Sequence, residues 1–180
     1  MIVAIALAIA VLIPLGVLFF IYKRNFYKTG AFNMVLLSFG IGAVAYFTAF
    51  SINRYILLGF NLVTGGQLTR IVAPWEEEIL KAILFIFLLR EVKNLSQTID
   101  WAIYGFCIGM GFAVTENFEY VLTNQYAALS VAITRVISTN LMHASATALA
   151  GTAFGFSRSK AGIKKIFVIL GGLVIAGLLH

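Results

Sequence analysis

Apolar residues dominate the chain in long runs that are separated by short polar segments. A helix needs about 20 apolar residues to cross the hydrocarbon core of a bilayer. Six stretches reach or approach this length, which predicts an all-α bundle of about six transmembrane helices. The stretches cover residues 2–22, 31–53, 71–89, 101–122, 128–156 and 163–180. We therefore expect a single integral-membrane domain over residues 1–180.

Composition strengthens this prediction. The chain is 61% hydrophobic and 11% charged, with a mean hydropathy of +0.98. A soluble domain is typically about half apolar and a quarter charged. The net charge of +6 does not indicate nucleic acid, because the basic residues cluster in short loops, so the expected partner is the lipid bilayer. Cys107 is the single cysteine and lies within a predicted span, where we expect it to pack.

The basic residues also predict an orientation. The first, third and fifth loops hold most of the lysines and arginines: Lys23, Arg24, Lys28, Arg90, Lys93, Arg158, Lys160, Lys164 and Lys165. The positive-inside rule places these loops in the cytoplasm and both termini outside. The first stretch has no basic segment before it and is followed by Lys23 and Arg24, so it is an anchor and not a cleavable signal peptide.

Charged residues interrupt the third apolar stretch at its start, where Glu77, Glu78 and Lys81 lie. Keeping such groups away from water is costly, so a membrane segment that retains them is a candidate functional site. Glu116 and His143 lie inside two other stretches. Counted from the cytoplasmic ends of their spans, these groups fall about 6 to 10 Å below the outer surface. Their similar depth predicts one site near the outer leaflet.

Residue spacing supports this site. Lys81 follows Glu77 and Glu78 by four and three residues, so it can neutralise either carboxylate. Two helical faces combine small residues with an ionisable residue: Gly105, Gly109, Phe112 and Glu116 on one, and His143, Thr147, Gly151 and Gly155 on the other. Small residues allow membrane helices to approach closely, so these faces are expected to pack and to bring the polar groups together.

The other polar residues are expected to cap helices, face solvent or support the site. Asp100, or Thr98 before it, is expected to cap the fourth helix. Glu76 is expected to be interfacial and solvated, and Glu91 and Glu119 to be loop or helix-end charges. Asn117 and Asn140 could support the site or bind the substrate backbone, although Asn140 could equally form a packing bond between helices.

These residues resemble the motifs of a known family. Pro74-x-x-Glu77-Glu78-x-x-Lys81 resembles the EExxK motif of the PrsW intramembrane proteases. The segment from Gly109 to Asn117, with Tyr120, is similar to that family's FxxxE segment. The family's third motif is similar to Arg135 followed by His143-Ala144, Thr147 and Gly151. His180 resembles the histidine that opens the fourth motif. The match covers roughly residues 70–180, which would be the catalytic helices, and residues 1–60 would form two accessory spans.

The resemblance implies hydrolysis of peptide bonds in membrane-anchored proteins, from the extracytoplasmic side of a prokaryotic cell membrane. It implies that Glu77 activates water with the assistance of Glu78 and Glu116. His143 and His180 would polarise the carbonyl, bind its oxyanion or ligate a metal. The family's fourth motif continues to an Asn or Asp beyond its histidine, so the natural protein is expected to continue past His180.

Whether the site uses a metal stays open at this stage. Peptide hydrolysis needs an activated water, a stabilised oxyanion and a proton for the leaving amine. Glutamate and histidine ligands suit zinc, for which His143, His180 and Glu116 are candidates, yet no HExxH motif is present. A metal-free glutamate mechanism would use the same residues, and Lys81, Phe112, Asn117 and Asn140 would support either version.

Two other functions compete with a protease. A related membrane scaffold could keep the helices and histidines without cleaving anything, although the intact EExxK and FxxxE pair favours an enzyme. A proton-coupled transporter also places Glu, His and Lys in spans. Against transport, the polar residues cluster at one depth instead of forming a ladder across the bilayer.

Overall fold

A computed structural model describes residues 1–24, 32–90 and 98–180, and within these ranges the chain is helical and contains no strand. The α-helices are α1 (Ile2–Arg24), α2 (Phe32–Ser51), α3 (Gly65–Gln67), α4 (Ala73–Arg90), α5 (Thr98–Thr123), α6 (Ala128–Ile137), α7 (Thr139–Ser157) and α8 (Ile163–Leu179). The predicted all-α, membrane-type fold is confirmed. Lys28, Glu91 and Lys93 lie outside the described residues.

Three of the described helices are long and apolar enough to cross a membrane: Ile2–Arg24, Phe32–Leu58 and Thr98–Thr123. The second of these is α2 with its π-helical continuation Ile52–Leu58. By contrast, α4 carries four charged residues within six positions, and α8 has 17 residues. The count of six spans therefore stays a prediction.

The prediction of one helix over 128–156 is wrong, because the structure divides this stretch into α6 and α7 at Ser138. The Ser138 hydroxyl donates to the Thr134 carbonyl oxygen at 2.8 Å, an acceptor that the Ser138 backbone N–H also uses. Such local side-chain bonding to the preceding turn bends helices. The apolar pattern does not reveal the break, because serine fits either a helix interior or a bend.

Helix α5 lies at the centre of the bundle between α2 and α7. On its α7 side, a Cβ added at Gly109 would fall against the backbone of His143, and one at Gly105 against the backbone of Thr147. On its α2 side, Gly111 lies against the backbone of Phe39. The predicted packing of the glycine faces is therefore confirmed. This close approach holds the polar side chains of α5 and α7 within hydrogen-bond distance.

The chain enters α4 through an irregular connection. Thr64 and Gln67 form a reciprocal capping box at the start of α3, and the π-helical segment Leu68–Val72 then leads into α4. Pro74 lies in the first turn of α4, directly after this π-helical segment. As a result, Glu77 and Glu78 lie in the second turn of α4, close to the end of the bundle.

Candidate active site

A cleft of about 340 Å³ opens among α2, α4, α5, α6, α7 and His180, the residue that follows α8. Five of the residues predicted for the site line it: Glu77, Phe112, Glu116, His143 and His180. They come from four different helices or helix ends and were selected from the sequence by depth and motif. The structure therefore brings these five predicted residues to one place, as the hypothesis of a shared cavity requires.

Glu77 presents one carboxylate oxygen that no hydrogen bond occupies. Its Oε2 is buried, and it lies 3.6 Å from His180 Nε2 and 4.0 Å from Lys81 Nζ, both beyond hydrogen-bond length. On the other side of the His180 ring, Nδ1 lies 3.3 Å from the Pro74 carbonyl oxygen. A carbonyl can only accept, so this contact puts the proton on Nδ1 and directs the lone pair of Nε2 towards Glu77. Two acceptors then face one another across a gap that suits a water molecule or a cation.

Glu78 points away from the cleft into the protein. Its Oε1 accepts a hydrogen bond from Lys81 Nζ at 2.7 Å, and its Oε2 accepts one from Thr147 at 3.2 Å. Neither Glu78 nor Lys81 is among the residues that line the cleft. Both carboxylate oxygens of Glu78 are therefore occupied, which distinguishes it from Glu77 even though the two are neighbours in sequence.

Lys81 is fully buried and connects α4 to the histidine of α7. Its Nζ lies 2.7 Å from Glu78 Oε1, 2.9 Å from His143 Nδ1 and 3.9 Å from the centre of the Phe112 ring. An ammonium has no lone pair, so His143 Nδ1 must accept and Nε2 must carry the proton of the neutral ring. That Nε2 lies 3.0 Å from Glu116 Oε2, which accepts the hydrogen. Lys81 therefore fixes both the tautomer and the orientation of His143.

Arg135 completes this network, and the sequence interpretation omitted it from the site. Its guanidinium lies 2.6 Å from Glu116 Oε2 and stacks over the Tyr120 ring at 3.7 Å. Arg135 Nε donates to Asn117 Oδ1 at 2.7 Å, and Asn117 Nδ2 donates to Asn140 Oδ1 at 2.5 Å. Asn117 and Asn140 are thus a second layer behind Arg135, away from the cleft. A signal for Arg135 did exist, since it is a charged residue inside an apolar stretch.

Two acidic residues differ from their predicted surroundings. Glu119 accepts a hydrogen bond from the Tyr46 hydroxyl at 2.6 Å and lines the cleft, so it is not merely a helix-end charge. Glu76 is not solvated, because both of its carboxylate oxygens are buried. Asp100 lies in the first turn of α5, which begins at Thr98, and it is buried. Tyr46 shows that α2, expected to be accessory, also builds a wall of the cleft.

The three side chains that could hold a metal ion are Glu77, His143 and His180. One ligand atom from each lies within 4.8 Å of the others. The unpartnered Oε2 of Glu77 and the hydrogen bond from His180 to the Pro74 carbonyl both suit a metal site, because ligating histidines commonly donate their other N–H to such a carbonyl. Glu116, the carboxylate predicted as a ligand, is instead occupied by Arg135 and His143.

Fold and cleft together define a class: a membrane-type helical protein that gathers several acidic, basic and imidazole side chains around one cleft. Comparisons with known proteins give the family. Residues 30–180 match the model described as PrsW family intramembrane metalloprotease. This chain belongs to that family, and its relatives support an intramembrane protease.

Individual relatives are distant but cover most of the chain. "Protease PrsW" of Bacillus subtilis (strain 168) is 26% identical over 167 residues, which are 92% of this chain and 75% of the relative. That of Shouchella clausii is 27% identical over 173 residues, covering 94% and 78% respectively. Against "Protease PrsW" of Geobacillus kaustophilus the identity is 25%, and the match covers 64% of that protein. No solved structure matches the chain.

Proposed function

We propose that this chain hydrolyses peptide bonds of membrane-anchored proteins in the cleft beside Glu77. One observation carries the proposal. Glu77 Oε2 is buried without a hydrogen-bond partner, on the cleft wall, 3.6 Å from the imidazole of His180. A base in that position can bind and deprotonate a water molecule, whereas the oxygens of Glu78 are occupied by Lys81 and Thr147. Glu77 is therefore the proposed base, and Glu78 positions Lys81.

The first chemical step follows from this assignment. Glu77 takes one proton from a water molecule as the water oxygen attacks the scissile carbonyl carbon. The carbonyl π electrons move to the oxygen, which becomes an oxyanion. The Arg135 guanidinium lines the cleft and has N–H groups beyond those that contact Glu116 and Asn117, so it is the proposed donor to the oxyanion, whereas the His143 Nε2 hydrogen is already donated to Glu116. Donors that are already oriented cost no reorganisation when charge develops, which is why such groups lower the barrier.

The second step returns the proton. The protonated Glu77 gives its hydrogen to the amide nitrogen as the oxyanion reforms the carbonyl and the C–N bond breaks. The products are a carboxylic acid and an amine, and the acid then passes its proton to the amine, which leaves a carboxylate and an ammonium. The same residue serves as base and then as acid, as microscopic reversibility allows. Throughout, Lys81 keeps His143 in the tautomer that presents an N–H to Glu116.

A metal fits this arrangement as an additional component, with Glu77, His143 and His180 as the residues that would hold it. A divalent metal supplies Lewis-acid polarisation of the carbonyl when it is bound at such a site. For His143 to serve as a ligand, one of its nitrogens must leave Lys81 or Glu116, because both nitrogens are occupied. The metal and the metal-free forms of the site thus differ in the partners of His143.

We place the protein in a bacterial cell membrane with both termini outside and the cleft at the outer leaflet. The alternating basic loops support this orientation. Substrates with a single membrane span would then be cut on the extracytoplasmic side. Cys107 is the single cysteine and is buried, so cysteines introduced one at a time into each loop will report that loop's accessibility to impermeant reagents.

Purified protein in lipid nanodiscs, incubated with a library of single-span substrates, tests the proposal. Glu77→Gln keeps the shape of the side chain but removes the base, and we expect cleavage to fall by about a hundredfold or more. Glu76→Gln is the matched control, because it makes the same change one residue earlier, outside the cleft lining. Retained cleavage in Glu77→Gln would refute the assignment of the base.

Chelator treatment separates the two forms of the site. Loss of cleavage that zinc restores would establish the metal-dependent form, and unchanged cleavage would establish the metal-free one. Other proteases of this family serve as the positive control for the library. If they cleave some of its substrates and the wild-type protein cleaves none of them, the whole proposal fails.

A further inference from the structure

A second cavity, of about 230 Å³, lies at the other end of the bundle. Its walls come from the four helices that carry Glu77, Glu116, His143 and His180, but further along each one. Ile86 of α4 is nine residues from Glu77, and Phe154 of α7 is eleven residues from His143. At 1.5 Å per residue, these separations are about 14 to 17 Å. The second cavity is therefore distinct from the candidate active site.

The chemistry of this cavity is mixed. Four of its lining residues are apolar or aromatic: Ile86, Trp101, Phe154 and Ile169. The remaining ones are Ser157, Arg158 and Lys165, so the described lining includes two cations and no carboxylate. The Arg158 guanidinium stacks over the Trp101 ring at 5.4 Å.

The position of the cavity along the helices matches a membrane boundary. Trp101 lies in the first turns of α5, a helix long and apolar enough to cross a membrane. The turn between α7 and α8 lies beside it and carries Arg158 and Lys160, followed by Lys164 and Lys165. Tryptophan and basic residues at the end of a span are typical of the headgroup region. Apolar walls therefore extend towards the hydrocarbon, and the cations lie at the level of lipid phosphates.

We propose that this cavity binds an anionic phospholipid. The phosphate contacts Lys165 and Arg158, and one acyl chain lies along Ile86, Phe154 and Ile169. Basic pockets between transmembrane helices on the cytoplasmic side are suited to anionic headgroups. A free phosphate ion would satisfy the cations but leave the apolar walls uncovered, so the mixed lining favours a lipid. The site goes beyond the proposed peptidase and does not depend on it.

The positive-inside pattern alone does not account for this arrangement. That pattern requires basic residues in the loop but no cavity between the helices. The two adjacent lysines at the start of α8 separate the explanations, because Lys165 lines the cavity and Lys164 does not. Both are exposed, and either change alters the net charge by the same amount. They therefore provide a matched pair of variants.

Tryptophan fluorescence gives a direct test. The chain has two tryptophans, so Trp75→Phe leaves Trp101, in the cavity wall, as the single reporter. The Trp75→Phe protein is placed in nanodiscs that contain equal fractions of brominated phosphatidylglycerol or brominated phosphatidylcholine, each diluted with unlabelled lipid. Bromine quenches a tryptophan that it contacts. We expect the anionic lipid to quench Trp101 at about one fifth of the mole fraction that the zwitterionic lipid requires.

The lysine pair then decides the assignment. Lys165→Gln should remove most of this preference, whereas Lys164→Gln should keep it. In native mass spectrometry, Lys164→Gln should likewise retain more bound phosphatidylglycerol than Lys165→Gln. The thermal transition of each variant shows whether it remains folded. Equal quenching by both lipids would overturn the proposal, as would an equal loss in the two lysine variants. Competition by inorganic phosphate at millimolar concentration would show an ion site and refute the lipid.

Discussion

Helices α1 and α5 are both apolar enough to cross a membrane, yet they differ in what they bury. Helix α1 buries four residues at a spacing of four: Ala6, Ala10, Pro14 and Leu18. Helix α5 buries residues on every side, among them glycines, Asp100 and Asn117. A single line of contact leaves most of α1 facing its surroundings, whereas α5 contacts α2, α6 and α7. Hydropathy detects both spans, but small and polar residues identify the one at the centre.

The comparison has a physical basis. Lipid tails are as apolar as leucine, so apolar area alone gives a membrane helix no preference for protein over lipid. A helix becomes central when small residues allow close packing and polar groups find partners inside. Helix α5 has both features, whereas the buried line of α1 consists of two alanines, Pro14 and Leu18 and has no polar side chain. Three pairs of variants test this contrast. Two pairs compare the α5 region with α1, and the third compares two faces of α1.

The largest effect should follow from removing an ion pair at the α5 end. Arg135→Ala leaves the Glu116 carboxylate without its guanidinium, and breaking this partly buried pair should cost up to about 3 kcal/mol of stability. We also expect cleavage to fall by about a hundredfold, because Glu116 no longer holds His143 in place. Thermal unfolding in detergent and single-span substrate cleavage measure the two effects.

Lys23→Ala is the control in α1, since it also removes a cation stacked on an aromatic ring, that of Phe19 at 4.9 Å. We expect its stability to change by less than about 0.5 kcal/mol. Arg135→Lys should recover part of the stability but less of the activity, because lysine cannot reach both Glu116 and Asn117 with a planar fork. Equal effects of Arg135→Ala and Lys23→Ala would contradict the contrast.

The next effect concerns close packing. A methyl group at Gly109 would fall 2.7 Å from the His143 carbonyl carbon and 2.8 Å from Ala144 Cα, which are backbone atoms that cannot rotate away. Gly109→Ala should therefore separate α5 from α7, at a cost of about 2 kcal/mol, and displace His143. Gly16→Ala in α1 meets nothing within 4 Å, so its thermal transition should be unchanged or slightly raised.

The result for Gly109→Ala is informative in both directions. A normal transition temperature together with normal cleavage would mean that the two helices are not in contact at this point. A normal transition with lost cleavage would mean that the helices adjust but the histidine does not return to its position.

The smallest effect should come from α1 itself. Ala10 is fully buried in a cluster with Ala128 and Ala132 of α6, so Ala10→Leu overfills the contact and should cost about 1 kcal/mol. Ala8→Leu, two residues earlier on an exposed face, should cost close to nothing. Identical thermal transitions for the two variants would show that α1 has no preferred face, which would contradict its single line of contact.

Sequence reasoning reached the main features of the site because charge in an apolar segment is rare. Glu77, Glu116 and His143 stand out in that way, and the glycine spacing indicated which faces pack. His180 came from the motif resemblance. Partners across helices were harder to foresee. Arg135 lies beside a helix break that only the Ser138 hydrogen bond reveals, so its direction could not be deduced from periodicity.

The sequence also could not predict that two adjacent residues, Glu77 and Glu78, have different contacts. Glu77 and Glu78 carry the same chemistry, and the sequence gives no physical reason for the different roles that the resemblance implies. Their surroundings differ only in three dimensions, where Thr147 of α7 and Lys81 occupy both oxygens of the Glu78 carboxylate. Tyr46 gave no signal because its partner Glu119 lies 73 residues away on another helix.

The contribution of α2 to the cleft limits how far the chain can be shortened. Tyr46, Ala49, Phe50 and Asn53 form one side of the cavity, although α2 precedes every recognisable motif. A minimal fragment that begins near residue 70 would retain each acidic residue and histidine of the cleft yet leave that side open to acyl chains. Lipid in the cleft would exclude water, so we expect such a fragment to show no cleavage even if its remaining helices assembled correctly.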